Sequence, residues 1–239
     1  MSAVLNPSYI FGAMKADDHT GGTMSNRELE ALDLAALLCS RVCHDIISPV
    51  GAIINGLEVL DEDNSEDMRE FAFGLIRRSA KQGSAKLQFA RLAFGAAGSA
   101  GAEIDLADAE KVARGYMEGE KAEFAWEAPQ SLMPKNLVKL MLNLILLANA
   151  AVPRGGSISA RIEGDPAAPR FVLKSEGPNA RIPAAFDKLI PGDLDDLVVD
   201  AQSVQGYYTG ALARAASMAI AARLEDENVV IESTPLAVA

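Results

Sequence analysis

An α+β chain of two domains is predicted, an N-terminal antiparallel helical hairpin followed by a C-terminal α/β sandwich. Three observations carry that prediction. Leu29, Leu32, Ala36, Cys39, Cys43, Ile46, Val50, Ile53, Leu57 and Leu60 recur at alternating spacings of three and four, an unbroken apolar seam. Residues 96–102, Ala-Ala-Gly-Ser-Ala-Gly-Ala, form a small-residue hinge that divides the chain. Beyond that hinge, helical and strand patterns alternate to the end, as a mixed sheet covered by helices requires.

In order along the chain, residues 1–24 mix Gly, Asp, Asn and Ser without a period and read as a disordered tail, with Met24 as an alternative start. The seam predicts a first helix over about 25–60, roughly 50 Å long at 1.5 Å per residue. The polar turn 61–65 ends in Ser65, a fitting N-cap, and Glu66 and Asp67 suit the positive end of a second helix running to about Gly95. That helix has an inner stripe of Ala72, Ile76, Ala80, Gly83, Leu87, Ala90 and Phe94, and an outer face with Arg77, Arg78, Lys81 and Lys86. So short a turn makes the pair antiparallel, and two such hairpins pair naturally as a four-helix bundle, so a homodimer is expected. The hairpin domain spans 25–96 and the second domain 103–239. Within the latter, helices are expected over 105–120, from Pro134 through Val152 and over 206–224; strands are expected over 123–127, 157–163, 170–174 and 228–232.

Composition narrows the function. The 239 residues are 49% hydrophobic with only 5% aromatics, so aliphatic helix packing dominates. A net charge of −11, without a basic stripe interleaved with aromatics, argues against nucleic acid as a partner. The longest apolar run, 137–152, is interrupted by Lys139, Asn143 and Asn149 and is too short to span a bilayer, so no membrane partner is expected. Two cysteines on one seam, Cys39 and Cys43, read as buried free thiols of a cytoplasmic protein. Only one other histidine, His19 in the tail, exists to complete a metal set, so no metal and no cofactor is expected. The acidic cluster Asp193, Asp195, Asp196 lacks calcium-loop spacing and reads as a solvated turn.

The densest information lies in residues 41–49, Arg-Val-Cys-His-Asp-Ile-Ile-Ser-Pro. His44 falls one position past the seam and points outward, with Arg41, Ser48, Gly51 and Asn55 on the same outer face. Pro49 removes a helix-interior amide donor and crowds the carbonyl of Asp45, at a cost of ~3 kcal/mol. A solvated histidine is the bland reading of any helical His; the acid beside it and the proline five residues on favour surface chemistry.

A histidine, an adjacent acid and a proline at plus five on the first helix of a dimeric hairpin resemble the phosphoacceptor box of sensor histidine kinases. The second domain resembles their ATP-binding domain, in degenerate form. Where such kinases read Asn-Leu-Leu-x-Asn-Ala-x-Lys-x-x-Pro-x-Gly-Gly, this chain keeps Asn143, Pro153, Gly155 and Gly156 but has Leu147 and Ala150 at the second asparagine and the lysine. At the following Asp-x-Gly-x-Gly box it has Ser175, Gly177 and Asn179, and the glycine-rich lid has no counterpart. Fold positions remain while the magnesium and adenine positions are gone. From 29 to 235 the layout resembles the ChpT-type histidine phosphotransferases of the alphaproteobacterial cell-cycle phosphorelay.

That resemblance implies a phosphotransferase without ATP hydrolysis, passing a phosphoryl group between the receiver domain of a hybrid sensor kinase and downstream response regulators. His44 is the implied phosphoacceptor and Asp45 the group that orients it and takes its proton, with Arg41 and Ser48 supporting. Ser48 stands where kinases carry a residue affecting hydrolysis. Receivers are expected to dock on Leu37, Leu38, Gly51, Asn55, Arg77, Arg78 and Lys81, with magnesium supplied by the receiver. Two alternatives stand beside this: a non-catalytic docking or inhibitor protein of two-component signalling, and an active ATP-dependent kinase.

Overall fold

The computed structural model describes residues 29–62, 65–95, 102–195 and 197–236; the tail expected at 1–24 and residues 96–101 of the hinge lie outside them. Helix α1 (Ala31–Glu62) and helix α2 (Glu66–Ala93) form the hairpin. Their antiparallel register rests on two small-residue contacts. A Cβ on Gly56 would lie 2.7 Å from Ile76 Cγ1 and 3.3 Å from the Ala72 carbonyl, so the backbones approach there as only glycine allows. About two turns away, the ring of the buried Pro49 lies 3.6 Å from the Cβ position of Gly83. The bulk of the proline ring is thus accommodated by seating it over a glycine of the facing helix.

Helix α1 starts later than about residue 25. Leu29 and Glu30 are not helical, and the Leu29 amide donates to the Tyr207 hydroxyl at 3.1 Å, a tertiary partner in place of a helical one. The face that α1 turns to α2 also differs from the sequence seam. Leu34, Leu38, Val42, Pro49 and Gly56 are wholly or half buried, whereas Leu32, Val50 and Leu57 of the seam stay 85%, 45% and 50% exposed and Cys39 and Cys43 are exposed. At 3.6 residues per turn the two stripes lie about 110–120° apart. Helix α1 therefore has two apolar faces, and the heptad count picked the one its own hairpin leaves open. The thiols expected to be buried lie on that open face. In α2, likewise, Ala80 and Leu87 of the expected inner stripe are exposed, while Ser79, Phe89 and Ala93 are buried instead.

In the second domain, α3 (Leu106–Met117), α4 (Lys135–Ala151) and α5 (Val204–Ala215) pack against a five-stranded sheet. Its strands are β2 (Ala122–Glu127), β4 (Gly156–Asp165), β5 (Ala168–Glu176), β6 (Met218–Glu225) and β7 (Asn228–Pro235), in the order β2-β4-β5-β7-β6. Only the β2–β4 pair is parallel. Two short strands that the sequence did not signal, β1 (Glu103–Asp105) and β3 (Leu132–Pro134), pair at the entrance to the domain. The Asp105 carboxylate caps α3 by accepting from the Ala107 amide at 2.8 Å. Phe171, Leu173, Ile158, Val229 and Ile231 alternate inward from the strands onto α4, which is buried nearly all round. The opposite sheet face carries a charge ladder, with Arg170 reaching Glu163 at 2.9 Å and Glu232 at 2.8 Å.

Two expectations are corrected here. Pro134 ends β3 and immediately precedes α4, which opens at Lys135. The helix expected over 206–224 stops at Ala215, and 218–225 is the edge strand β6. Alanine-rich Met-Ala-Ile-Ala-Ala-Arg-Leu favours a helix by propensity, but pairing with β7 overrides it. Ser217 breaks the helix at φ 53°, and Asp226 and Glu227, at φ 47° and 69°, close the β6–β7 hairpin as a two-residue turn with both central residues left-handed.

Candidate functional site

His44 projects from the middle of α1 with 67% of its side chain exposed. It occupies a third face of the helix, about 110–120° from both apolar stripes. Ser48 and Asn55 are exposed on the same side, and at Gly51 a Cβ would meet nothing within 4 Å. Small residues thus leave the approach to the imidazole open, and Leu37, half buried, lies on the same side about two turns earlier. Leu38 is different: it lies on the stripe facing α2, so of the two leucines expected at the docking face only Leu37 turns toward it.

Asp45 follows His44 yet reaches it. Its Oδ1 lies 3.7 Å from His44 Nδ1, while its Oδ2 accepts from Arg41 Nε at 3.0 Å. Adjacent helical residues do not share a face, and the contact arises because the Asp45 side chain lies along the helix flank under the guanidinium one turn earlier. Arg41, expected on the outer face, is instead folded down: its Nη1 donates to the Gln202 carbonyl, 3.0 Å away, in the loop before α5. That loop is held by Asp200, whose Oδ1 accepts from the Ser203 hydroxyl at 2.7 Å and from the Ser203 and Gln202 amides at 2.8 and 3.0 Å. The Ser203 hydroxyl and amide hold the Asp200 carboxyl below the usual carboxylate range. Tyr116 of α3 approaches from the other side, its ring tilted against that of Phe89 with 4.4 Å between centroids. Burial, with the charges of Glu120 and Asp45, pushes its hydroxyl well above the ordinary tyrosine range, so it stays protonated. Sequence reasoning missed Asp200, Gln202, Ser203 and Tyr116. No local signal could have tied Gln202 to Arg41 across a separation of 161 positions.

The basic residues of α2 divide. Arg77 and Arg78 are exposed, with the Arg77 guanidinium 6.0 Å from the centre of the Phe73 ring. Lys81 is committed to α3 through Glu118 Oε2, 2.5 Å from its ammonium, and serves to tie the two domains together.

The kinase-like motif positions are filled from within. Leu147 is buried in the core and the Ser175 hydroxyl donates to the Ala148 carbonyl at 2.9 Å. The Asn143 amide donates to the Ala93 and Lys139 carbonyls, at 3.2 and 2.9 Å, pinning the end of α2 to α4. Gly155, Gly156 and Gly177 are required by backbone: Cβ atoms on Gly156 and Gly177 would lie 2.0 and 2.3 Å from the Glu176 and Gly155 carbonyls. The surviving glycines thus let the start of β4 and the end of β5 approach backbone to backbone.

A hairpin presenting an exposed His–Asp pair beside a domain of this kind is the arrangement of a histidine phosphotransferase. Comparison with known proteins agrees. Residues 106–228 match the family described as histidine phosphotransferase C-terminal domain. The chain is 53% identical over 205 residues to the protein phosphotransferase ChpT of Brucella abortus strain 2308, covering 86% of this chain and 97% of that one. A solved bacterial phosphotransferase superposes with a TM-score of 0.80 at 50% identity, over 87% of this chain and 98% of the other. The chain belongs to the ChpT-type histidine phosphotransferases, and it is a phosphotransferase of two-component signalling.

Proposed function

We propose that His44 carries the phosphoryl group between receiver domains, taking it from an aspartyl phosphate of a hybrid sensor kinase and giving it to the aspartate of a response regulator. The observation that carries this reading is the His44–Asp45 pair, exposed on one side and anchored on the other. Because Asp45 faces Nδ1, Nε2 is the free nucleophile. Its lone pair forms the N–P bond as the acyl O–P bond breaks, and the receiver's carboxylate leaves with the electron pair. The proton on Nδ1 is held toward Asp45, which balances the positive charge gained by the ring. Transfer to the second receiver reverses these steps. Magnesium and most of the charge stabilisation come from the receiver, as suits a step that depends on positioning.

A second copy completes the protein in this reading. The open seam of Leu32, Val50 and Leu57 on α1 and Leu87 on α2 would be buried between two hairpins, giving a four-helix bundle. It also accounts for the apolar character of α1, which is long and apolar enough by composition to cross a membrane, yet has Arg41, His44 and Asp45 near its middle. We place the protein in the cytoplasm, with its receivers.

The test is phosphotransfer from a receiver domain charged with acetyl phosphate. Acid-labile phosphate is expected on His44, and His44→Ala should abolish it while stability changes by less than ~0.5 kcal/mol, as for an exposed side chain. Transfer surviving in His44→Ala would move the acceptor elsewhere; an uncharged wild type would favour a docking protein. ATP is expected not to bind, since Leu147 and Ser175 point their side chains into the protein's own packing. Micromolar affinity by calorimetry with magnesium present would revive an ATP-dependent kinase.

A further inference from the structure

We propose that the second domain is a working part of the transfer site: its Asp200–Ser203 loop, acting through Arg41, fixes the carboxylate of Asp45 against His44. This rests on the reading of His44 as phosphoacceptor, and it assigns Arg41 as a positioning residue whose second anchor lies in the other domain.

The geometry forms one chain of contacts. The guanidinium donates in two directions, Nε to Asp45 Oδ2 and Nη1 to the Gln202 carbonyl, each at 3.0 Å. A planar fork held at both ends cannot rotate freely, so Oδ2 is occupied and Oδ1 is left toward the imidazole. Released from Gln202, the long Arg41 side chain would regain its rotamers and Asp45 would lose its fixed orientation. The carbonyl is itself aimed. Asp200 accepts three hydrogen bonds from Gln202 and Ser203, and the Ser203 hydroxyl accepts in turn from the Asp200 amide at 2.9 Å. Four bonds within four residues make this loop a rigid ledge. Two further ties keep the domain in place against the hairpin, Leu29 to Tyr207 and Lys81 to Glu118. A chain whose nucleotide-motif positions are packed with its own side chains still keeps a large second domain, and positioning the carboxylate gives that domain a present use.

The measurement is single-turnover transfer from the acetyl-phosphate-charged receiver that serves the wild type best, with receiver affinity and melting temperature recorded for each variant. Arg41→Ala is expected to lower the transfer rate at saturating receiver by roughly tenfold to a hundredfold, the scale of a misplaced reacting group, with affinity unchanged. Arg41→Lys keeps the charge but lacks the fork, and should recover little of the rate. Asp200→Ala leaves Arg41 and Asp45 intact and should lower the rate in the same direction; Ser203→Ala is the milder second variant if the first melts early. The double variant Arg41→Ala/Asp200→Ala should be no slower than Arg41→Ala alone, because both remove one linkage. The proposal is overturned if Asp200→Ala and Ser203→Ala transfer at the wild-type rate, if the losses add, if Arg41→Lys is fully active, or if only receiver affinity changes. Failure of the underlying reading would look different, since the wild type itself would then carry no phosphate on His44.

Discussion

Helix α1 buries only Pro49 and Gly56 along its 32 residues, whereas α4 buries thirteen of its 17. Both helices are similarly apolar in sequence, and the contrast lies in what surrounds them. Helix α4 is enclosed by the sheet, α3 and α5, so its apolar residues are satisfied within one chain. Helix α1 has α2 on one side, the edge of the second domain on another, and open solvent against an apolar stripe. The difference teaches where each kind of function can reside. A helix closed on all sides can only hold the fold together. One that divides its circumference among a hairpin face, an open apolar face and a polar face can at once pair with a copy and present a nucleophile.

The sharpest way to break that contrast is to charge the open stripe. If the proposed dimer forms through this stripe, Val50→Glu/Leu57→Glu is expected to convert it to a monomer by light scattering while helix content is retained, because uncompensated carboxylates in an apolar interface cost several kcal/mol. Cys39 and Cys43 give an independent readout: reaction with a thiol reagent should be slow in the dimer and fast in the charged variant. A variant that remains dimeric, with thiols no more reactive than before, would place the partner copy on another face.

The same contrast predicts unequal costs for equal truncations. Leu144 is fully buried in α4 and Leu57 half exposed on α1. Leu144→Ala should lose ~2–5 kcal/mol of stability in denaturant unfolding, the range for a leucine cut from a closed core. Leu57→Ala should lose little in the dilute monomer, and more as concentration rises and the dimer forms. Equal losses, independent of concentration, would mean that α1 is already closed within the single chain.

Legibility in the sequence followed the same division. Four of the second domain's seven strands are legible in the sequence; β1 and β3 are too short to carry a pattern, and alanine-rich β6 carries no strand signal until β7 is beside it. In α1 the heptad marks one apolar face, left open by the single chain, and gives no sign of the second, which packs on α2. A heptad records that a stripe is apolar, and two overlapping stripes on one helix cannot be assigned to their partners from one sequence. His44 and Asp45 were legible because their signal is local. The Arg41 linkage was not, since its other end is a backbone carbonyl, and a carbonyl has no sequence signature.

The smallest effect expected belongs to the basic patch on α2. With Lys81 engaged by Glu118 and Lys86 half buried, the fully exposed charge on this face is that of Arg77 and Arg78. Receivers gather carboxylates around the phosphorylated aspartate, and the chain as a whole is acidic at −11, so these two cations form a local exception that can steer the encounter. Steering acts on association, and at physiological salt the Debye length is about 8 Å, so the gain is a few-fold in rate. Arg77→Glu/Arg78→Glu should therefore slow transfer at low receiver concentration and leave the saturated rate intact, the reverse of the pattern expected for Arg41→Ala. Added salt should slow the wild type and leave the reversed variant unchanged or slightly faster. Stability should hardly move, since exposed charges contribute about 0–1 kcal/mol. Identical transfer by both proteins across a salt series would show that the arginines only solvate the bundle, and would return the docking surface to the polar face of α1 around His44, Gly51 and Asn55.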